Sequence, residues 1–171
     1  FLIAKRVFLK IDLDFPAAGD PLLPAVLDNS LLARANGGVY FVTSVDPSGN
    51  TASGVALPAG SGSWSTLSDK DSKRDIVEVD HVEILSKLAA LPISEWSYKA
   101  QGRGTRHLGP MAQEFHEAFG LGEDPRRIST VDVDGVALAS IKALYEIVER
   151  QSSELQELRK EVAELRSEGS R

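Results

Sequence analysis

The chain has 171 residues, with 25 acidic and 19 basic side chains, a net charge of −6 and 42% hydrophobic residues. That composition is enough to bury a core, and its acidic balance argues against nucleic acid or an anionic membrane as the main partner, since both need a basic face. Cysteine is absent, which removes disulfides, zinc–thiolate sites and cysteine nucleophiles, and no apolar run approaches the ~20 residues of a membrane span. The opening Phe1-Leu2-Ile3-Ala4-Lys5-Arg6 has neither Met nor the layout of a signal peptide, so it reads as part of a longer chain.

Residues 1–67 contain no Glu, few charges and many Gly, Pro, Ser and Asn; charged residues crowd in from Ser68 onward. The first part reads as strands and turns. Val7, Leu9, Ile11, Leu13 and Phe15 alternate with Phe8, Lys10, Asp12 and Asp14, the period of a half-buried strand. Residues 16–24 read as a loop, and residues 31–34 and 39–45 as short strands around a Gly37-Gly38 turn. Asp46-Pro47-Ser48-Gly49-Asn50 is a turn, from which residues 51–57 can pair back as a hairpin. Residues 58–63 read as a flexible segment leading to Trp64. So few large core residues do not close a monomeric sandwich; the alternatives are strands that bury their apolar faces against other chains and a small independent β-domain.

The second part mixes helices with short strands. Asp80 and Glu83 have the spacing of a capping box for a helix through His81, Ile84, Leu85 and Leu88, ended by Pro92. Residues 93–99 read as a strand with Trp96 and Tyr98 on one face. Residues 101–104 read as a turn and 106–108 as a short strand. Pro110 is expected at the first position of a helix reaching Phe119, closed by Gly120. Residues 128–133 read as a further strand, with Asp134-Gly135 turning into a last helix over about 136–168. In that helix Ile141, Leu144, Val148, Gln151, Leu155, Leu158, Val162 and Leu165 follow 3-4 spacing and occupy a and d of a heptad. Glu154 and Glu161 then fall at g, with Arg159 and Arg166 at the following e positions, a pairing that suits parallel strands in register. The polar Gln151 at d costs stability and can fix that register. An amphipathic helix packed on its own domain is the alternative; heptads alone do not choose dimer or trimer.

Most catalytic patterns are missing. His116-Glu117 is not followed by the second histidine of a zinc helix, no serine has a G-x-S-x-G surround, and Gly102-Arg103-Gly104 is too short for a phosphate loop. Asp132-x-Asp134-Gly135 resembles the start of a calcium loop, but the register puts Thr130 and Ile141 where its first and last ligands belong. No metal or cofactor is therefore expected. What remains is Ser68-Asp69-Lys70-Asp71-Ser72-Lys73, which in isolation is a polar linker.

Several blocks in order set that hexapeptide in context: Ser68-Asp69-x-x-x-Lys73, Trp96-Ser97-Tyr98-Lys99, and Arg106-His107-Leu108-Gly109-Pro110-Met111-Ala112-Gln113. Phe119-Gly120-Leu121-Gly122 and Val131-Asp132-Val133-Asp134-Gly135-Val136-Ala137-Leu138-Ala139 follow. Together, over roughly residues 64–150, they resemble the C-terminal intramolecular chaperone of phage endosialidases and other tail spikes, peptidase family S74. That domain is also found in some bacterial surface proteins and in the myelin regulatory factor of animals. The upstream Arg34-Ala35-x-Gly37-Gly38-Val39 and Gly60-Ser61-Gly62-Ser63-Trp64 resemble what precedes it in tail spikes.

The resemblance implies an α+β fold: a β-rich stalk over residues 1–67, then over residues 68–171 a mixed α/β head with a long C-terminal coiled-coil helix, in a homotrimer. It implies a single-turnover serine endopeptidase that aligns its own upstream chain and cuts itself away at Leu67–Ser68 with a dyad of Ser68 and Lys73. His107 matches a histidine this family needs for cleavage. Asp69 and Arg106 stand as supporting residues, Asp69 at a position that is Asn in some members. The implied partners are further copies of the chain and its own upstream segment, in a virion tail fibre or spike assembled in the host cytoplasm, or on a bacterial surface. The chemistry is direct: Ser68 Oγ can attack the Leu67 carbonyl through a five-membered ring, giving an ester that water opens. A serine hydroxyl needs a base for this; Lys73 can serve only as the neutral amine, a form that burial or a cation such as Arg74 or Arg106 favours. His107 can donate to the oxyanion or polarise the leaving nitrogen. A trimerisation module that never cuts is the alternative.

Overall fold

The computed structural model describes residues 35–169; the readings over residues 7–15, 16–24 and 31–34 lie outside them. The chain divides into two compact units that meet in sequence at Arg74 and Asp75.

In the first unit, β1 (Gly38–Val45) and β2 (Thr51–Pro58) form the expected antiparallel hairpin. The turn is set by Asp46: one carboxylate oxygen accepts from the Asn50 backbone N–H at 2.8 Å and the other from its side-chain amide at 3.0 Å. Those bonds hold the Asp46 carboxyl below its ordinary value, the Asn50 side chain being the larger cause. Gly49 takes φ +87°, a conformation open to glycine. The segment read as a flexible lead to Trp64 instead turns back: Ser61 N–H donates to Pro58 O at 2.9 Å, and β3 (Ser65–Thr66) pairs with β2, giving the order β1-β2-β3. A two-residue strand has no periodicity to read, so only the chain's return reveals it. Phe41 and Trp64 lie 5.7 Å apart at 35°. Even so, Tyr40 and Phe41 remain 63% and 58% exposed, and Val42 and Val45 are also open. This sheet does not bury its own apolar side chains.

In the second unit, α1 (His81–Ala90) starts as expected, with Asp80 accepting from the backbone N–H of Val82 at 2.9 Å and of Glu83 at 3.0 Å. Glu83 does not reach back to close a capping box; it pairs with Lys87 at 2.7 Å one turn on. The strand read over 93–99 is only β4 (Ser94–Trp96), because Tyr98 already accepts from Gln101 N–H in a turn. Its partner is β5 (His107–Gly109), one residue later than expected, in a register that pairs Trp96 with His107. Pro110 is not the first helical residue: Met111 is extended and caps α2 (Ala112–Phe119), which Gly120 closes in the left-handed region at φ +65°.

The strand read over 128–133 is replaced by helix. α3 runs Thr130–Glu168, 39 residues and about 58 Å, with Ser129 at its N-cap and Asp134-Gly135 inside it. Val131 and Val133 are β-branched, but burial follows a helical repeat: Val136, Ser140 and Ala143 lie on one face, and α1 packs on α3. Leu91, Phe115 and Val136 form the core, with Ile84, Leu88, Ala118, Phe119 and Ile128 against it. The heptad residues take a different face. Ile141, Leu144, Val148, Leu155, Leu158, Val162 and Leu165 are all exposed in the single chain, and Gln151 is exposed among them. The helix therefore carries two apolar stripes, and the second is not packed on its own domain. Among the described residues no helix is long and apolar enough to cross a membrane.

Candidate active site

Ser68 and Lys73 are five residues apart, too far to touch in an extended chain. A single 3-10 turn over Lys70–Ser72 brings them together. Asp69 begins the turn: its carboxylate accepts from Asp71 N–H at 3.1 Å, and its carbonyl from Ser72 N–H at 3.3 Å. Lys73 N–H closes the turn on Lys70 O at 3.1 Å. Lys73 Nζ then lies 2.6 Å from Ser68 Oγ. That is hydrogen-bond contact between an amine and a hydroxyl, reached through local backbone geometry. Asp69, singled out as a supporting residue, supplies the carboxylate that caps this turn.

The bond ahead of Ser68 is held from its other side. β3 pairs Thr66 with Val55 and Ser65 with Ala56, and Leu67 N–H donates to Gly54 O at 3.2 Å. Leu67–Ser68 thus sits between a strand register and a capped turn. Gly54, which the sequence reading passed over, supplies that acceptor. It sits inside β2 opposite Val42 with φ +155°, and a Cβ there would collide with the Phe41 carbonyl. A glycine inside a strand signals such an approach of two backbones.

His107 belongs to the second unit. Its ring stacks on Trp96 with centroids 4.6 Å apart at 28°, meets Tyr98 edge-on at 5.4 Å, and its Nε2 is 2.8 Å from Gln101 Oε1. The β4–β5 register builds this aromatic nest by setting Trp96 across from His107. Arg106, just ahead of β5, makes an exposed ion pair with Glu95 at 3.0 Å. Ser68 and Lys73 are likewise exposed in the single chain. Among the described residues, no group of three or more His, Asp or Glu side chains could hold a metal ion.

The arrangement offers a hydroxyl, an amine in contact with it, and an adjacent peptide bond clamped on both sides. Residues 68–120 match a family model described as Peptidase_S74, chaperone of endosialidase. No curated protein matches the chain.

Proposed function

We propose, on the premise that residues 68–120 belong to the Peptidase_S74 family of endosialidase chaperones, that this chain aligns three copies of itself through α3, registers the β-rich segment ahead of Ser68, and then cuts its own Leu67–Ser68 bond. The family match supports the chaperone-like role in its coarse form. The observation that carries the cleavage is the 2.6 Å contact between Lys73 Nζ and Ser68 Oγ.

Lys73, as the neutral amine, takes the Ser68 hydroxyl proton while Oγ bonds to the Leu67 carbonyl carbon. The carbon–nitrogen bond then breaks, the proton passes to the Ser68 amine, and an ester joins Leu67 to Oγ. Water opens the ester, leaving a Leu67 carboxylate and a free Ser68 N-terminus. A positioned base contributes ~10²–10⁴ in rate, and a pre-set attack geometry with oxyanion stabilisation supplies the remainder. Leu67 N–H on Gly54 O and the Asp69-capped turn are the features that hold the geometry. The resemblance gives His107 a further part in the cleavage.

Trimerisation rests on the exposed heptad stripe of α3, whose residues 155–166 line a shallow apolar groove flanked by Arg159 and Arg166. Zipped helices raise the local concentration of the upstream strands. That favours slow non-local pairing over aggregation. The exposed Tyr40, Phe41, Val42 and Val45 are the surface those strands would bury. Because Ser68 and Lys73 are open in one chain, exclusion of water from them falls to neighbouring copies, which couples cutting to assembly. Once cut, the fibre is kept by its unfolding barrier, in a virion tail fibre or on a bacterial surface.

Intact mass after expression tests the reading. A fragment beginning at Ser68 is expected, and Ser68→Ala or Lys73→Met should abolish it while leaving the oligomer. The exposure of the dyad favours a second reading, a trimerisation module that never cuts; persistent full-length trimer from the unsubstituted chain would establish it.

A further inference from the structure

We infer that the β3 edge of each copy pairs along the β1 edge of the next, joining the sheets of three copies into one closed ring that holds the strand leading into Leu67–Ser68 from both sides. The inference rests on the proposed trimer and names the surfaces that meet in it. The open edges follow from the ladder. Leu67 N–H donates to Gly54 O, so on β2 the backbone groups of Gly54 and Ala56 face β3, and those of Val55 and Leu57 face β1. Val55 is paired with Phe41 and Leu57 with Val39. The N–H and C=O groups of Tyr40 and Val42 therefore point away from β2, off the outer side of β1, and those of Thr66 point off the outer side of β3. Among the described residues no strand pairs with either edge.

Exposed edges are ordinarily blunted by charges or proline. Here Asp46 is the one charged residue in residues 35–67, and it is spent on the hairpin turn. β1 has no proline, Tyr40, Phe41 and Val42 stand exposed along it, and its register stays regular from Gly38 to Val42. An edge of this kind invites another strand. The occupant that fits is a second copy. The Glu154–Arg159 and Glu161–Arg166 pairings expected along α3 set copies side by side and parallel. One sheet carries both an open β1 edge and an open β3 edge, so the contact between copies is head-to-tail and closes under rotation. β1 and β3 each run antiparallel to β2 and so share a direction, which makes the junction parallel. Closure leaves no edge. It also bears on the cut: Thr66 is bonded through β2 on one side in the single chain, and gains Tyr40 and Val42 of the next copy on the other only in the assembly.

Amide exchange on the full chain carrying Ser68→Ala, which stays whole, tests the pairing. In the assembly the N–H groups of Tyr40, Val42 and Thr66 should exchange at least roughly tenfold more slowly than in the same chain with Leu158→Ala, diluted to single copies. Tyr40→Pro tests the link to the cut, because proline is tolerated on an edge where the lost N–H pointed outward. Its Val39 and Phe41 N–H groups should stay protected and its assembly mass should hold, while release of the Ser68 fragment slows by at least roughly tenfold. Tyr40→Phe should cut at the parental rate. Free exchange at Tyr40, Val42 and Thr66 in material that sediments as a trimer would overturn the inference and leave the proposed function standing. Protection already complete in the single copy would assign the edge to another part of the same chain and overturn it too. Tyr40→Pro cutting at the parental rate would refute the link to the cut, and a chain that never associates would sink both this inference and the proposed function.

Discussion

Replacing Leu158 by alanine separates a helix that zips to its copies from one that stands alone. Leu158 is 55% exposed in the single chain, so about half its surface remains for a neighbour to cover. Full burial of a leucine contributes roughly 1.5–3 kcal/mol, which leaves about 1 kcal/mol per chain and about 3 kcal/mol over three identical sites. A cavity left in a packed interface raises this, since leucine-to-alanine changes in cores cost about 2–5 kcal/mol each. At ~1.4 kcal/mol per decade, the trimer association constant should fall at least ~10²-fold. An exposed substitution on a lone helix would instead stay within about ±0.5 kcal/mol. Sedimentation equilibrium over a concentration series reads the difference directly. Val136→Ala is the control: Val136 is 5% exposed in the unit's own core, so its loss should lower thermal stability at every concentration. Unchanged association for Leu158→Ala, or an unsubstituted chain that stays single at high concentration, would refute the coiled-coil argument.

Three further outcomes follow from local geometry. Asp80→Ala removes the acceptor for two backbone N–H groups at the start of α1 and should destabilise the second unit by ~1 kcal/mol, read by denaturant unfolding. Gly54→Ala drives a Cβ into the Phe41 carbonyl; it should disorder the β1–β2 hairpin, visible in amide exchange, and slow release of the Ser68 fragment without altering α3 helicity. The Asp46 carboxyl is held below its ordinary value by Asn50, so its support of the turn is complete above the unfolded carboxylate value and is lost as pH falls through the lower, folded one. Carbon-detected titration should place Asp46 below the ordinary aspartate value, and Asn50→Ala should bring it back towards that value.

Where structure is decided by neighbours in sequence, the residues announced it. Asp46 to Asn50 contains its own turn chemistry, Asp80 its own cap, and residues 141–165 their own heptads. Ser68 and Lys73 are also brought together locally, by one 3-10 turn capped by Asp69, but their residues alone read as a polar linker and only the family resemblance singled them out. Elements that depend on distant partners were misread or missed. β3 exists because the chain returns to β2, and residues 130–135 are helical although their valines suggest a strand.

The heptad pattern marked a stripe on α3 but could not tell whether the head would cover it. Tertiary packing settled that, since Val136, Ser140 and Ala143 face the core and leave the 3-4 stripe open. Packing alone also set His107 on Trp96 and against Gln101. The physical reason is range. Capping and turn energies arise within a few residues and the heptad spacing is written in local order, whereas the setting of a histidine ring and the free face of a helix depend on what the rest of the chain brings alongside.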